Sequence, residues 1–273
     1  MRDYHIHLGY GNFRLCDRDD KFDNEPLNNA YNNLLEYNDK GFTYLRDGGD
    51  KHMLAFSLKK EAKKLGIRLD SPGRALVKAN CYGKQLGYGL ADMAALKAEL
   101  DFLLDNKVDL IKVIFTGLVN CTDGKQQLPP FFDRQEQNYI RDFSRETGLP
   151  IMVHVNGPEG IEAAIEMGAA TIEHGYFMDD ANLARMKERG TVWVPTVAPF
   201  GNAVLYDRWI PGWNKDLVKQ IYEDHMKTIT KAFRMGVYIL PGSDAGSSIV
   251  PHGSGSFDEY EFLKTAKQQA KAD

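Results

Sequence analysis

Asp3-Tyr4-His5-Ile6-His7 sets two histidines two residues apart in a short run of strand-forming residues. Alternate side chains on a β-strand share a face, so both imidazoles reach the same point and can chelate a cation. A lone pair of this spacing is more often two half-buried histidines, so the reading turns on whether further ligands exist. Three segments supply them: Ile151-Met152-Val153-His154, Thr171-Ile172-Glu173-His174 and Ile239-Leu240-Pro241-Gly242-Ser243-Asp244. Each is a largely apolar run ending in a metal-capable side chain, followed within two residues by Gly or Asn and then by a helical pattern.

Lys112 is the next candidate. It interrupts the apolar run 108–115, sharing one strand face with Leu110 and Ile114 while Ile111, Val113 and Phe115 share the other. A lysine buried there must be paired, neutralised or chemically used, because desolvating an ammonium is costly. A salt bridge across the fold would satisfy it. Beside histidine-bound cations an ammonium would be repelled, whereas a lysine carboxylated by CO2 becomes an anion able to bridge two metals. Desolvation favours the neutral amine that this reaction requires.

These residues need a scaffold that brings strand ends together. From residue 100 onward strand and helix patterns alternate: strand 108–115, helix 133–146, strand 149–155, helix 158–167, strand 169–174, helix 180–189, strand 191–197, helix 215–235, strand 237–240 and helix 257–271. Earlier, strand 3–8, helix 26–37, strand 41–46, helix 52–65, strand 67–76 and helix 90–106 keep the same rhythm. Eight strands, each followed by a helix, predict a (β/α)8 TIM barrel occupying residues 1–273 as one domain. Segments 116–132 and 198–213 read as long irregular loops after strands, placing them on the C-terminal face as lids or substrate walls.

Composition sets outer limits. Of 273 residues, 43% are hydrophobic and 26% charged, with a formal charge of −4, which favours neither nucleic acid nor an anionic membrane as partner. No apolar stretch approaches the roughly 20 residues of a membrane span, and Met1-Arg2-Asp3 leads directly into a strand, so a cytoplasmic protein is expected. Cys16, Cys81 and Cys121 are far apart, form no CxxC pattern and read as free thiols.

Taken together, HxH on strand 1, Lys on strand 4, His on strands 5 and 6 and Asp on strand 8 resemble the amidohydrolase superfamily. The stretches 108–113, 153–157, 170–175 and 243–246, then Pro251-His252-Gly253-Ser254, together with Gly41-Phe42-Thr43-Tyr44-Leu45-Arg46-Asp47, resemble its branch of imidazolonepropionase-related proteins and Xaa-Pro dipeptidases. The resemblance implies one metal held by His5, His7 and Asp244, another by His154 and His174, and N6-carboxylated Lys112 with a hydroxide bridging them. Zinc suits these ligands, and manganese, iron or nickel would be accepted. Asp244 would act as general acid-base, taking the water's proton and passing it to the departing amine. The expected reaction is hydrolysis of an amide or peptide C–N bond in a small molecule such as a dipeptide or acylated amino acid. Cyclic amides, lactones or metal binding without turnover are the alternatives, and a homo-oligomer is compatible.

Two departures from the branch stand out. Its β-sandwich, built from both chain ends, is expected to be lacking, since strand 1 begins at residue 3. Gly157 stands where deaminase relatives carry Glu, which disfavours deamination of a nucleobase. Among weaker assignments, His252 is a candidate substrate contact or else an exposed loop residue, and Asn156 shares the face of His154. Arg46 and Arg74 are candidates to receive a substrate carboxylate, though Arg46 reads more readily as a local pair with Asp47. Glu173 should point away from the face of His174 and act structurally, and His52 and His225 read as helix-surface residues.

Overall fold

The computed structural model describes residues 1–11, 24–126 and 128–272; Cys16 lies outside them, and Cys81 and Cys121 are free. Strands β1 (Arg2–Ile6), β2 (Tyr44–Asp47) and β3 (Arg68–Asp70) form one parallel sheet in that order. A second contains β4 (Ala75–Lys78), β5 (Gly89–Leu90), β6 (Ile111–Ile114), β7 (Ile151–Val155), β8 (Thr171–His174) and β9 (Val192–Val194), ordered β5-β4-β6-β7-β8-β9. Residues 239–245 close the ring. Leu240 N donates to Trp193 O at 2.9 Å on one side, while Tyr4 N donates to Pro241 O at 2.9 Å and Asp244 N to His5 O at 2.8 Å on the other.

The predicted TIM barrel is therefore present, with two staves less regular than expected. The third is split: Pro72 lacks an N–H and Gly73 takes a φ of +68°, so the chain turns between β3, which pairs with β2, and β4, which pairs with β6. The eighth joins its neighbours through the single bridges Trp193–Ile239 and Ile6–Ala245 rather than a continuous ladder.

The helices are α1 (Glu25–Asp39), α2 (Leu54–Ser57), α3 (Lys59–Lys64), α4 (Met93–Asp105), α5 (Arg134–Thr147), α6 (Pro158–Glu166), α7 (Asp180–Arg189), α8 (Ala198–Leu205), α9 (Lys215–Met235) and α10 (Ser254–Ala272). Their ends follow local chemistry. Asp133 and Asp179 form capping boxes with Glu136 and Asn182, and Gly148 and Gly190 terminate the same helices in left-handed conformations. The helix expected over 52–65 starts late, because the Asp50 carboxylate accepts from His52 N and Leu54 N at 2.8 Å each and holds 51–53 in a turn. It also breaks at Leu58.

Segment 116–132 is irregular where described, as expected, but 198–213 is not all loop. Ala198–Leu205 forms α8, whose first amide donates to Glu259 Oε2 of α10 at 2.8 Å. A distant carboxylate thus supplies the cap that Val197 cannot, and no local sequence signal announces it. Ile111, Val113 and Phe115 face the core beneath the helices, leaving Lys112 on the interior face of the barrel. His225 is buried rather than on a helix surface. Its ring stacks on Tyr176 with centroids 4.0 Å apart, Nε2 lies 3.0 Å from Pro195 O, and burial pushes its pKa down to about 4. His52 is exposed, in the turn before α2. Among the described residues no helix is long and apolar enough to cross a membrane.

Candidate metal centre

Parallel strands deliver their C-terminal ends to one rim, and there His5, His7, His154, His174 and Asp244 converge. His5 Nε2 and His7 Nε2 each lie 3.4 Å from Asp244 Oδ1 and 3.4 Å from each other. One ligand atom from each of these three residues falls within 4.8 Å of the others, a spacing suited to a single cation. The His174 ring adjoins, its centroid 4.9 Å from that of His5 and 4.4 Å from that of His154.

The remaining ring nitrogens are engaged in ways that aim the free ones. His5 Nδ1 bonds Glu173 Oε2 at 2.6 Å and His174 Nδ1 bonds Thr196 Oγ1 at 2.7 Å, which leaves Nε2 of both for a ligand. His154 Nε2 lies 3.4 Å from Gly117 O, leaving Nδ1. Burial lowers the pKa of His5 and His174 well below the usual histidine range and that of His154 to about 3, so the rings are neutral bases. For Asp244 burial acts upward, but the hydrogen bond with His7 and the electrostatic influence of His5, His7 and Lys112 outweigh it and hold the carboxyl well below its ordinary value.

Lys112 is 1% exposed, and its Nζ finds no hydrogen-bond partner among the described residues. Burial is the main cause that brings its pKa down to about 8. The salt bridge that would satisfy it is not made: Glu173, the carboxylate acting on it most strongly, is bonded to His5 and Arg46. An orphaned ammonium among neutral imidazoles fits a group that changes chemical state when cations enter.

Backbone strain aims several of these side chains. His174, Thr196 and Asp244 have φ of 67°, 47° and 57°, left-handed values that are uncommon outside glycine and are worth about 1–3 kcal/mol each. At His174 the strain overturns strict alternation. Thr171 and Glu173 face inward by strand periodicity, and the left-handed turn brings His174 inward too. Glu173 therefore does not point away from His174; both approach His5.

The candidate substrate contacts are all otherwise occupied. Arg46 donates to Tyr4 O at 2.7 Å, Thr171 Oγ1 at 3.1 Å and Glu173 Oε1 at 2.8 Å, rather than to Asp47. Asp47 turns to the amides of Leu8 and Gly49 at 2.9 and 2.6 Å. Arg74 forms a two-pronged pair with Glu99 at 2.8 and 2.9 Å under the Phe102 ring. His252 is buried, with Nδ1 3.1 Å from the Tyr37 hydroxyl and Nε2 2.6 Å from Tyr10 O. Asn156 ties loops together, its Oδ1 accepting from Tyr176 N at 3.0 Å while its backbone N–H donates to Thr116 Oγ1 at 3.0 Å.

Residues overlooked in the sequence complete the centre. Thr196 orients His174, and nothing in Val194-Pro195-Thr196 signals it. Asp3 binds His5 N at 3.0 Å and Ser243 Oγ at 2.6 Å, joining β1 to the stave of Asp244. The Tyr82 ring lies 5.4 Å from that of His154, and its place just after the third stave could have flagged it. Gly48 is required by close approach: a Cβ there would lie 2.4 Å from His7 Cε1. Gly48→Ala is expected to weaken metal affinity at least about tenfold with a smaller effect on the melting temperature, since the His7 side chain, 16% exposed, can swing aside. Metal titration beside a thermal melt checks this, and unaltered affinity would contradict it.

Fold and rim together define a TIM barrel whose C-terminal rim gathers histidines and a carboxylate. Among solved structures it is similar to a Xaa-Pro dipeptidase with methionine bound in its active site (TM-score 0.77, 24% identity, 97% of this chain and 70% of that one). The crystal structure of A. niger ochratoxinase gives a TM-score of 0.77 at 19% identity over 100% and 68% of the two chains. A molinate hydrolase gives 0.74 at 14% over 98% and 69%. In sequence, ochratoxinase of Aspergillus niger is 26% identical over 142 residues, which is 50% of this chain and only 28% of that protein's length. No family model matches the chain.

Proposed function

We propose that this protein is a metal-dependent amidohydrolase that cleaves an amide or peptide C–N bond in a dipeptide-like or acyl-amino-acid-like substrate. The observation that carries the reading is the convergence at one barrel rim of four imidazoles, the ionised Asp244 and Lys112, whose Nζ has no hydrogen-bond partner among the described residues. The names of the similar proteins, a dipeptidase, ochratoxinase and molinate hydrolase, support the reaction class.

His5, His7 and Asp244 would hold one divalent cation and His154 and His174 a second, with Lys112 joining them once carboxylated. Zinc suits a donor set of imidazole and carboxylate without thiolate. Bound there, the metal would polarise the substrate carbonyl and acidify water. Asp244 supplies the proton path: a carboxylate held ionised at the rim accepts a proton from attacking water and returns it to the departing nitrogen. A Lys112 pKa near 8 leaves about one amine in ten neutral at pH 7, the form that reacts with CO2. Metal content and turnover of a dipeptide and N-acyl-amino-acid panel test the reading. About two equivalents of metal with C–N cleavage are expected, and a protein that takes up no metal after growth in supplemented medium overturns it.

A further inference from the structure

Glu173 is fully buried and accepts from three directions: His5 Nδ1 reaches Oε2 at 2.6 Å, Arg46 reaches Oε1 at 2.8 Å, and the Thr171 hydroxyl also meets Oε1. Arg46 is fixed in turn by Tyr4 O and Thr171 Oγ1. We propose that Glu173 and Arg46 are positioning residues for His5, the carboxylate holding the ring as its Nδ1–H tautomer and Arg46 holding the carboxylate.

The argument is one of proton inventory. Two bare acceptors would repel at 2.6 Å, so a proton lies between Nδ1 and Oε2, and the Arg46 guanidinium and Thr171 hydroxyl that donate to Oε1 hold Glu173 as the acceptor, placing that proton on Nδ1. The lone pair then lies on Nε2, which points to Asp244 Oδ1 and His7 Nε2. Without Arg46 the carboxylate would be a lone buried charge near the orphaned Lys112, free to turn towards that ammonium instead of His5. Arg46 occupies Oε1 and leaves Oε2 for the ring. A buried ion pair is a poor source of stability compared with apolar packing, so its place beneath a ligand is better explained by orientation.

This inference rests on the metal-dependent reading, and the test separates the two. In the metal-free protein at pH 8, 15N–1H spectra of the histidine rings should show His5 protonated at Nδ1. Chelator competition with zinc should show Glu173→Gln weakened about 10- to 100-fold, since an amide can present either a donor or an acceptor to Nδ1. Arg46→Lys should retain more affinity than Arg46→Met. A folded Glu173→Gln with wild-type zinc affinity overturns the proposal and leaves the metal site standing. Wild-type protein that binds no zinc overturns both. Should Glu173→Gln not fold, the wild-type spectrum decides: a His5 proton on Nε2 overturns the proposal.

Discussion

Asp244→Asn is expected to lower kcat on an amide substrate by about 100- to 10,000-fold, the range lost with a general acid-base group, or about 3 to 5 kcal/mol of barrier. Asparagine matches aspartate in shape and still offers an oxygen to a cation, but it cannot take up a proton from water at neutral pH. The loss should therefore fall on kcat with little change in KM. Steady-state kinetics with metal analysis of the same samples check this. Undiminished kcat would remove Asp244 from the proton path. Near-complete metal loss would instead show that its main role is ligation, consistent with its 3.4 Å approach to both His5 and His7.

Lys112 should behave in opposite ways with and without metal. In the metal-free protein its pKa falls from 10.5 to about 8, so folding imposes a penalty of about 3 kcal/mol on the ammonium at pH 7. The sign follows from proton counting. Between these two values the unfolded chain binds more protons, so wild-type stability rises with pH there, and the penalty is fully present below pH 8 and gone above 10.5. Lys112→Met should consequently stabilise the metal-free protein at pH 7, by up to about 3 kcal/mol, with the gain vanishing at high pH. The same residue, once carboxylated, would be a metal ligand. Lys112→Ala should lose one metal equivalent, partly recovered with bicarbonate and a short carboxylic acid. Denaturation of the apo forms and elemental analysis of the loaded forms measure the two effects. A methionine variant less stable than wild type when metal-free, or two metals retained in the alanine variant, would count against this account of Lys112.

Much of the candidate centre is legible in the sequence because strand chemistry is local. His5 and His7 share a face by the period of two, and Lys112 is conspicuous on a strand apolar on both sides. His154, His174 and Asp244 each end an apolar run, so the residues expected to hold metal lie together at one rim. Partners are what the sequence does not reveal. Arg46 and Arg74 are two cations near strand ends in the sequence, yet one is sealed inside the barrel on Glu173 and the other pairs with Glu99 outside it. His252 and His225 look exposed because loop and helix positions often are. Both are buried, one between Tyr37 and Tyr10 and the other against Tyr176.

The sequence by itself determined the alternation of strands and helices, local helix caps such as Asp133 and Asp179, and the shared face of His5 and His7. Each of these depends on residues within a few positions of one another, where periodicity and hydrogen-bonding rules act directly. Only the tertiary structure decided how His5 is oriented, because Glu173 is 168 positions away and reaches it only once the barrel closes. Closure likewise decided the inward turn of His174 against strand alternation, the capping of α8 by Glu259, and the lack of a hydrogen-bond partner for Lys112 among the described residues. The physical reason is common to all four: a buried polar group takes whatever partner the packed interior places within about 3 Å, and chain separation carries no information about that distance.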